Sequence, residues 1–252
     1  MTAAEIRRAR KTYASELLRA AQVPAAPLTA LYLGVLLAMD ALVSLLGGEG
    51  LLPLFFSVLT FLLAPVLHAG FVLYCMAVRR RERADWGVLL DALPFAGKVI
   101  LLYIFSASYI FVLSLLFIVP GLIAAYRLRF ALYHLCEDPS MPVAKAILLS
   151  RAETRTGKWE LFLLDLTYLP WILLRELPRL FFDLRAVFAA LQTETPSLAA
   201  LAAPLTLPQL LFTGAWALAA STLFLAHMKC VDLDYFDAAR ERLGASGENL
   251  FP

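Results

Sequence analysis

The sequence predicts an all-α polytopic membrane protein, a transmembrane helical bundle of about six spans with amphipathic helices on its cytoplasmic face. Three observations carry this. Of 252 residues, 61% are hydrophobic and 17% charged, whereas a soluble domain is usually about half apolar and a quarter charged. The apolar residues gather in runs of about twenty, the length a helix needs to cross roughly 30 Å of hydrocarbon. The basic residues lie between those runs, where their position, more than the net charge of +2, sets orientation. So small a net charge points to no nucleic-acid partner. Cys75, Cys136 and Cys230, an odd and widely spaced set, argue against a disulfide framework. No secretory signal is expected, because the first long apolar run starts near Leu28, behind a charged segment.

Residues 1–27 form the N-terminal unit. Ala3 to Ala20 reads as an amphipathic helix, with Ile6, Ala9, Tyr13 and Leu17 at three- and four-residue steps and Arg7, Arg8, Arg10, Lys11 and Arg19 elsewhere. It is expected to lie on the cytoplasmic surface of the bilayer. The membrane domain is placed at 28–228. Its first span, 28–46, is closed by the turn signal Gly47-Gly48-Glu49-Gly50. The second, 53–78, stops at Arg79-Arg80-Arg81-Glu82-Arg83, the strongest cytoplasmic marker in the chain.

The third span, 99–119, stops at Pro120-Gly121, which is expected to be a helix break or turn. If the chain beyond Tyr126 were external, Arg127, Arg129, Lys145, Arg151, Arg155 and Lys158 would all lie on the wrong side. A short fourth span, 122–136, avoids this, although about fifteen residues cover only about 22 Å. A second amphipathic stretch, Val143 to Arg155, is expected to be capped by Ser140 and ended by Gly157. Trp159 then opens a fifth span, 159–182, with breaks at Pro170 and Pro178. The polar stretch Gln192 to Ser197 is placed outside, the sixth span at 205–228, and an acidic cytoplasmic tail at 229–252. Five spans is the competing count.

These residues resemble a bacterial integral-membrane family known as domain of unknown function 975. The likeness is carried by Leu116 to Tyr126, Asp138-Pro139, Ala146-Ile147, Ser150, Gly157-Lys158-Trp159 and Leu161 to Leu164. It is carried also by the charged N-terminal helix and by Gly70 and Tyr74 ahead of the basic run. It covers roughly residues 3 to 172, and beyond Trp171 the chain departs from the family pattern. The resemblance implies a multi-pass protein of the bacterial cytoplasmic (inner) membrane and supplies no activity. The basic loops put both termini in the cytoplasm.

Charged residues within spans cost about 2.5–3.5 kcal/mol at a helix centre, so each is a functional candidate. Here they are Asp40, Arg127, Arg129 and Asp165, with Arg175, Glu176 and Arg179 nearer the outer end. Counting along the helices puts Asp165 about 9 Å, and Arg129 and Arg127 about 10 to 13 Å, from their cytoplasmic span ends, so they can meet. Two residues apart, only one of the arginines can face Asp165 squarely. One expected arrangement is a structural ion pair with a snorkelling arginine; the other is a polar pocket beside the broken helix.

His134, Cys136, His227 and Cys230 are metal ligands in type. Their spacing argues against a site, since His134 and Cys136 cannot share a helix face, and neither a metal nor a cofactor is expected. Phosphate-cradling, nucleophile-elbow and metalloprotease motifs are missing from the sequence, so no enzyme is predicted. The function expected first is a non-enzymatic membrane scaffold or lipid-interacting protein. Arg7, Arg8, Arg10, Lys11, Arg79, Arg80, Arg81 and Arg83 are its candidates for anionic headgroups. A small transporter or channel at Pro120-Gly121 comes second and an intramembrane enzyme third.

Overall fold

A computed structural model describes residues 3–47, 50–191 and 205–245. The expected external stretch Gln192 to Ser197, part of the Gly47 to Gly50 turn and the end of the acidic tail lie outside the described residues. The described chain is helical: α1 (Ala3–Ala20), α2 (Ala25–Leu45), α3 (Leu51–Arg80), two 3-10 turns at Trp86–Leu90 and Leu93–Phe95, α4 (Ala96–Leu116), α5 (Ile118–Leu128), α6 (Ala131–Glu137), α7 (Val143–Leu191) and α8 (Leu207–Ala245). Four segments are long and apolar enough to cross a membrane, namely Ala25–Leu45, Leu51–Arg80, Trp86–Leu116 and Leu207–Gly244.

The bundle has two unlike ends. At one, Tyr74, Phe71, Phe130, Tyr133 and Phe236 are fully buried and α1 joins the packing through Ala14 and Leu17. Phe236 of α8 meets the rings of Phe130 at 5.4 Å and Tyr133 at 5.6 Å, closing this core around α6. Toward the other end Leu51, Phe55, Leu115, Phe117, Ile118, Phe181, Phe188 and Phe212 are exposed. A surface so apolar in long helices is matched to hydrocarbon.

Two contacts fix how the chain returns to the packed end. The Lys98 ammonium at the start of α4 donates to the carbonyls of Pro139, Ser140 and Met141 at 2.6, 2.9 and 3.2 Å, just beyond α6. Arg10 of α1 lies 3.0 Å from Asp234 of α8.

The structure departs from the sequence reading in several places. First, the chain reverses at Phe117, which is extended (φ −159°, ψ 148°), and not at Pro120-Gly121. Pro120 cannot donate to the Leu116 carbonyl and its ring would collide with that carbonyl, so α4 stops there. Pro120 then sits in the first turn of α5, where its missing N–H is harmless. Gly121 allows the hairpin to close, because a Cβ there would stand 3.0 Å from the Cα of Ser114 and closer still to its side chain.

Second, the predicted fourth span is broken again, at Arg129-Phe130, into α5 and α6. Third, α7 runs unbroken for 49 residues through Gly157, Pro170 and Pro178. Ser140 does not cap it: its N–H and hydroxyl turn to the Asp138 carboxylate, and α7 begins after Pro142. Those bonds hold the Asp138 carboxyl below the ordinary carboxylate range. Fourth, the expected tail continues α8 as far as Ala245, with Cys230, Val231, Leu233, Tyr235 and Phe236 buried.

The N-terminal helix has the expected limits but another facing. Ile6 and Tyr13 are exposed, while Arg10, Ala14 and Leu17 turn inward. Arg10 lies 4.2 Å over the Tyr235 ring; Lys11 donates to Thr167 at 2.7 Å and sits 4.3 Å over the Tyr168 ring. These partners outweigh burying Ile6 and Tyr13. Burial, with Arg7 adding to it, lowers the Lys11 pKa.

Candidate functional site

The break between α5 and α6 is held open by one side chain. Ser150 of α7, fully buried, accepts from the Phe130 N–H at 3.1 Å and donates to the Arg127 carbonyl at 2.8 Å. It thereby satisfies two backbone groups that a continuous helix would have paired. Arg129, in the break, points into the bundle.

There it joins two carboxylates on two other helices. Its Nη1 and Nη2 donate to Asp165 of α7 at 2.6 and 2.8 Å, a bidentate fork, and its Nε donates to Asp232 of α8 at 2.8 Å. The Tyr126 hydroxyl donates to Asp165 at 2.8 Å and the Tyr133 hydroxyl donates to the second oxygen of Asp232. The side chains are 15% exposed for Arg129, 27% for Asp165 and 2% for Asp232. Lys229, one turn before Asp232, lies 5.8 Å over the Tyr133 ring and within electrostatic reach of both carboxylates. Arg129 thus bridges two carboxylates, each of which also accepts from a tyrosine hydroxyl.

The pairing of Asp165 with one arginine, expected from depth, is present, and Arg129 makes it while Arg127 is exposed. Pro120 and Gly121 belong to the α4–α5 hairpin. Asp40 is remote from the cluster: it is exposed on α2 with Arg179 as its electrostatic neighbour, and so it does not form a carboxylate pair with Asp165. Arg175 pairs with its chain neighbour Glu176 at 2.6 Å. Sequence reasoning missed Asp232 and Lys229, because the charges after Met228 read as a solvated tail, and Tyr126 and Tyr133, because a tyrosine in an apolar run carries no local sign of a distant partner.

The four residues of metal-ligand type are each engaged elsewhere. His134 Nε2 meets Glu153 at 2.8 Å in a buried pair, and Cys136 approaches the Ala69 carbonyl at 3.9 Å. His227 Nε2 donates to the Lys11 carbonyl at 2.9 Å, which leaves Nδ1 to accept from the Tyr168 hydroxyl at 2.7 Å. Cys230 neighbours Cys75 in the core. Among the described residues no three His, Cys, Asp or Glu side chains converge as a metal site.

At the packed end the basic residues divide into two sets. Arg10 and Arg79 bind Asp234, Arg79 also binds Asp237 at 2.7 Å, and Arg80 shares Glu137 with Arg240 at 2.7 Å each. Arg8, Arg81 and Arg83 are exposed and make no ion pair among the described residues. Arg81 is also the only non-glycine residue with positive φ (58°) among the described residues. It occupies the left-handed position that ends α3, with its N–H bonded to Val78 and that of Glu82 to Ala77 at 3.1 and 2.9 Å. Glycine is the usual occupant of that position. Trp86, half exposed, and the exposed Leu90 and Leu93 follow directly.

Residues 92–179 match the family model described as Protein of unknown function (DUF975). The resemblance read from the sequence is thus borne out for the segment running from the start of α4 into α7. It takes in Arg129, Ser150 and Asp165 and leaves out Asp232. No curated protein and no solved structure matches the chain.

Proposed function

We propose that this chain is a non-enzymatic integral-membrane protein that engages anionic lipid headgroups at the end where α1 meets α8. The observation that carries the reading is Arg81. A position where glycine costs least holds a charged side chain with no ion pair among the described residues, beside exposed Arg83 and Trp86. Local rules broken without a structural gain point to function. Arginine with tryptophan is the pairing suited to a membrane–water boundary. The other headgroup candidates narrow to Arg7, Arg8, Arg81 and Arg83, because Arg10, Lys11, Arg79 and Arg80 have protein partners.

Six crossings with both termini in the cytoplasm of a bacterial inner membrane fit the contacts best. The Arg10–Asp234 bridge supports an even number of crossings, and the Lys98 contacts support a return through α5 and α6 after α4 has crossed. With α7 leading out and α8 back, the count is six. A transporter stands second: the break at Arg129 favours it, but both carboxylates there are already bound by Arg129.

The test is a titration of purified protein with short-chain phosphatidylglycerol and with phosphatidylcholine, read as thermal stabilisation. The anionic lipid is expected to bind more tightly. The double variant Arg81→Ala/Arg83→Ala is expected to weaken it by about 2 kcal/mol, roughly 30-fold. Equal response to the two lipids contradicts the reading.

A further inference from the structure

A cavity of about 390 Å³ lies between α2, α3, α4 and the α5–α6 segment, away from both the Arg129 cluster and the basic end. Its size suits a small ligand or one end of a long one. Small residues make the room: Ala64 and Pro65 stand side by side in α3, facing Leu102 and Leu128. No charged residue lines it. Four polar groups do, namely the hydroxyls of Tyr32, Tyr103 and Ser106 and the imidazole of His68. Tyr32 and His68 are 3.5 Å apart, a long and weak contact. The Tyr103 and Ser106 hydroxyls make no hydrogen bond among the described residues.

Unpartnered hydroxyls are costly in apolar surroundings, and those of Tyr103 and Ser106 can both donate. What they lack is an acceptor. The cavity is continuous with the exposed apolar belt, since Tyr103 on its wall is itself exposed beside Leu101, Ile104 and Phe105. A ligand therefore arrives from the hydrocarbon and its chain stays there.

We propose that this cavity binds a neutral lipid through a carbonyl oxygen, which accepts hydrogen bonds from the Tyr103 and Ser106 hydroxyls beside the Tyr32–His68 pair while the apolar chain leads out past Tyr103. Glyceride esters and isoprenoid quinones both present this chemistry. The site depends on the membrane placement of the bundle and is separate from the Arg81 surface.

The full chain in nanodiscs of phosphatidylcholine is titrated with radiolabelled diacylglycerol in one arm and a decyl-substituted benzoquinone in the other. Saturable binding near one per chain is expected in at least one arm, and the arm that saturates identifies the source. Ala64→Phe, which fills the cavity, is expected to weaken binding about tenfold or more. The milder Tyr103→Phe should weaken it about 2- to 10-fold, the loss of one hydrogen bond. Arg81→Ala/Arg83→Ala should leave it unchanged, which separates this site from headgroup binding. Lack of saturation in both arms, or binding indifferent to both cavity variants, overturns the proposal.

Discussion

Arg129→Met tests whether the cluster between α5, α7 and α8 holds the bundle together. The substitution keeps an unbranched side chain but leaves Asp165 and Asp232 without the guanidinium that binds both. Asp232, 2% exposed, cannot recover hydration where it stands. Removing one partner of a buried ion pair costs about 3–5 kcal/mol. For a chain of this size that is a fall of roughly 6–20 °C in the midpoint of thermal unfolding. Asp165→Asn is milder, about 1–2 kcal/mol, because its side chain is 27% exposed and Arg129 keeps Asp232. The double variant Arg129→Met/Asp232→Asn removes the buried carboxylate together with its cation and should be more stable than Arg129→Met alone. Unfolding in detergent, followed by tryptophan fluorescence, reads all three. An Arg129→Met midpoint within about 2 °C of the parent, or a double variant below the single one, refutes the reasoning.

Four further substitutions probe single contacts. Gly70→Ala would bring a Cβ to 2.2 Å from the Leu89 carbonyl oxygen, a backbone atom, and should displace the 86–90 turn and lower the midpoint measurably. Gly214→Ala meets the flexible end of Leu37 at the same 2.2 Å and should cost less, so the two midpoints compared in one assay check the distinction. Ser150→Ala strands the Phe130 N–H and the Arg127 carbonyl in the interior and should cost about 1–3 kcal/mol by thermal unfolding. Arg81→Gly should raise the midpoint, relieving about 1 kcal/mol of left-handed strain, while weakening phosphatidylglycerol binding; a lowered midpoint counts against the strain argument.

The long apolar helices and the basic stop after α3 were legible because periodicity and span length act locally along the chain. The Asp165–Arg129 pair was legible too, since depth along a helix follows from residue number. Asp232 was not. Asp234 and Asp237 follow it closely and make the stretch read as a charged tail, and only the fold shows that Val231, Leu233 and Phe236 bury it while Asp234 and Asp237 turn to Arg10 and Arg79. Gly157 looked like a helix end, but a glycine within a helix costs only about 1 kcal/mol, and packing of α7 against α6 and α8 overrides it. The reversal at Phe117 was misplaced by a few residues for a physical reason: a proline ends the helix before it and starts the one after it. His68 and Tyr32 stand in different apolar runs, and nothing local joins them.

The central claim is an even, six-crossing bundle with its charged end on one side. Single cysteines at Ser140 and at Thr195, in a background lacking the three buried native thiols, report it through labelling from either side of sealed vesicles. The account predicts that Ser140 labels from the same side as both termini and Thr195 from the opposite side. Labelling of both positions from one side contradicts it.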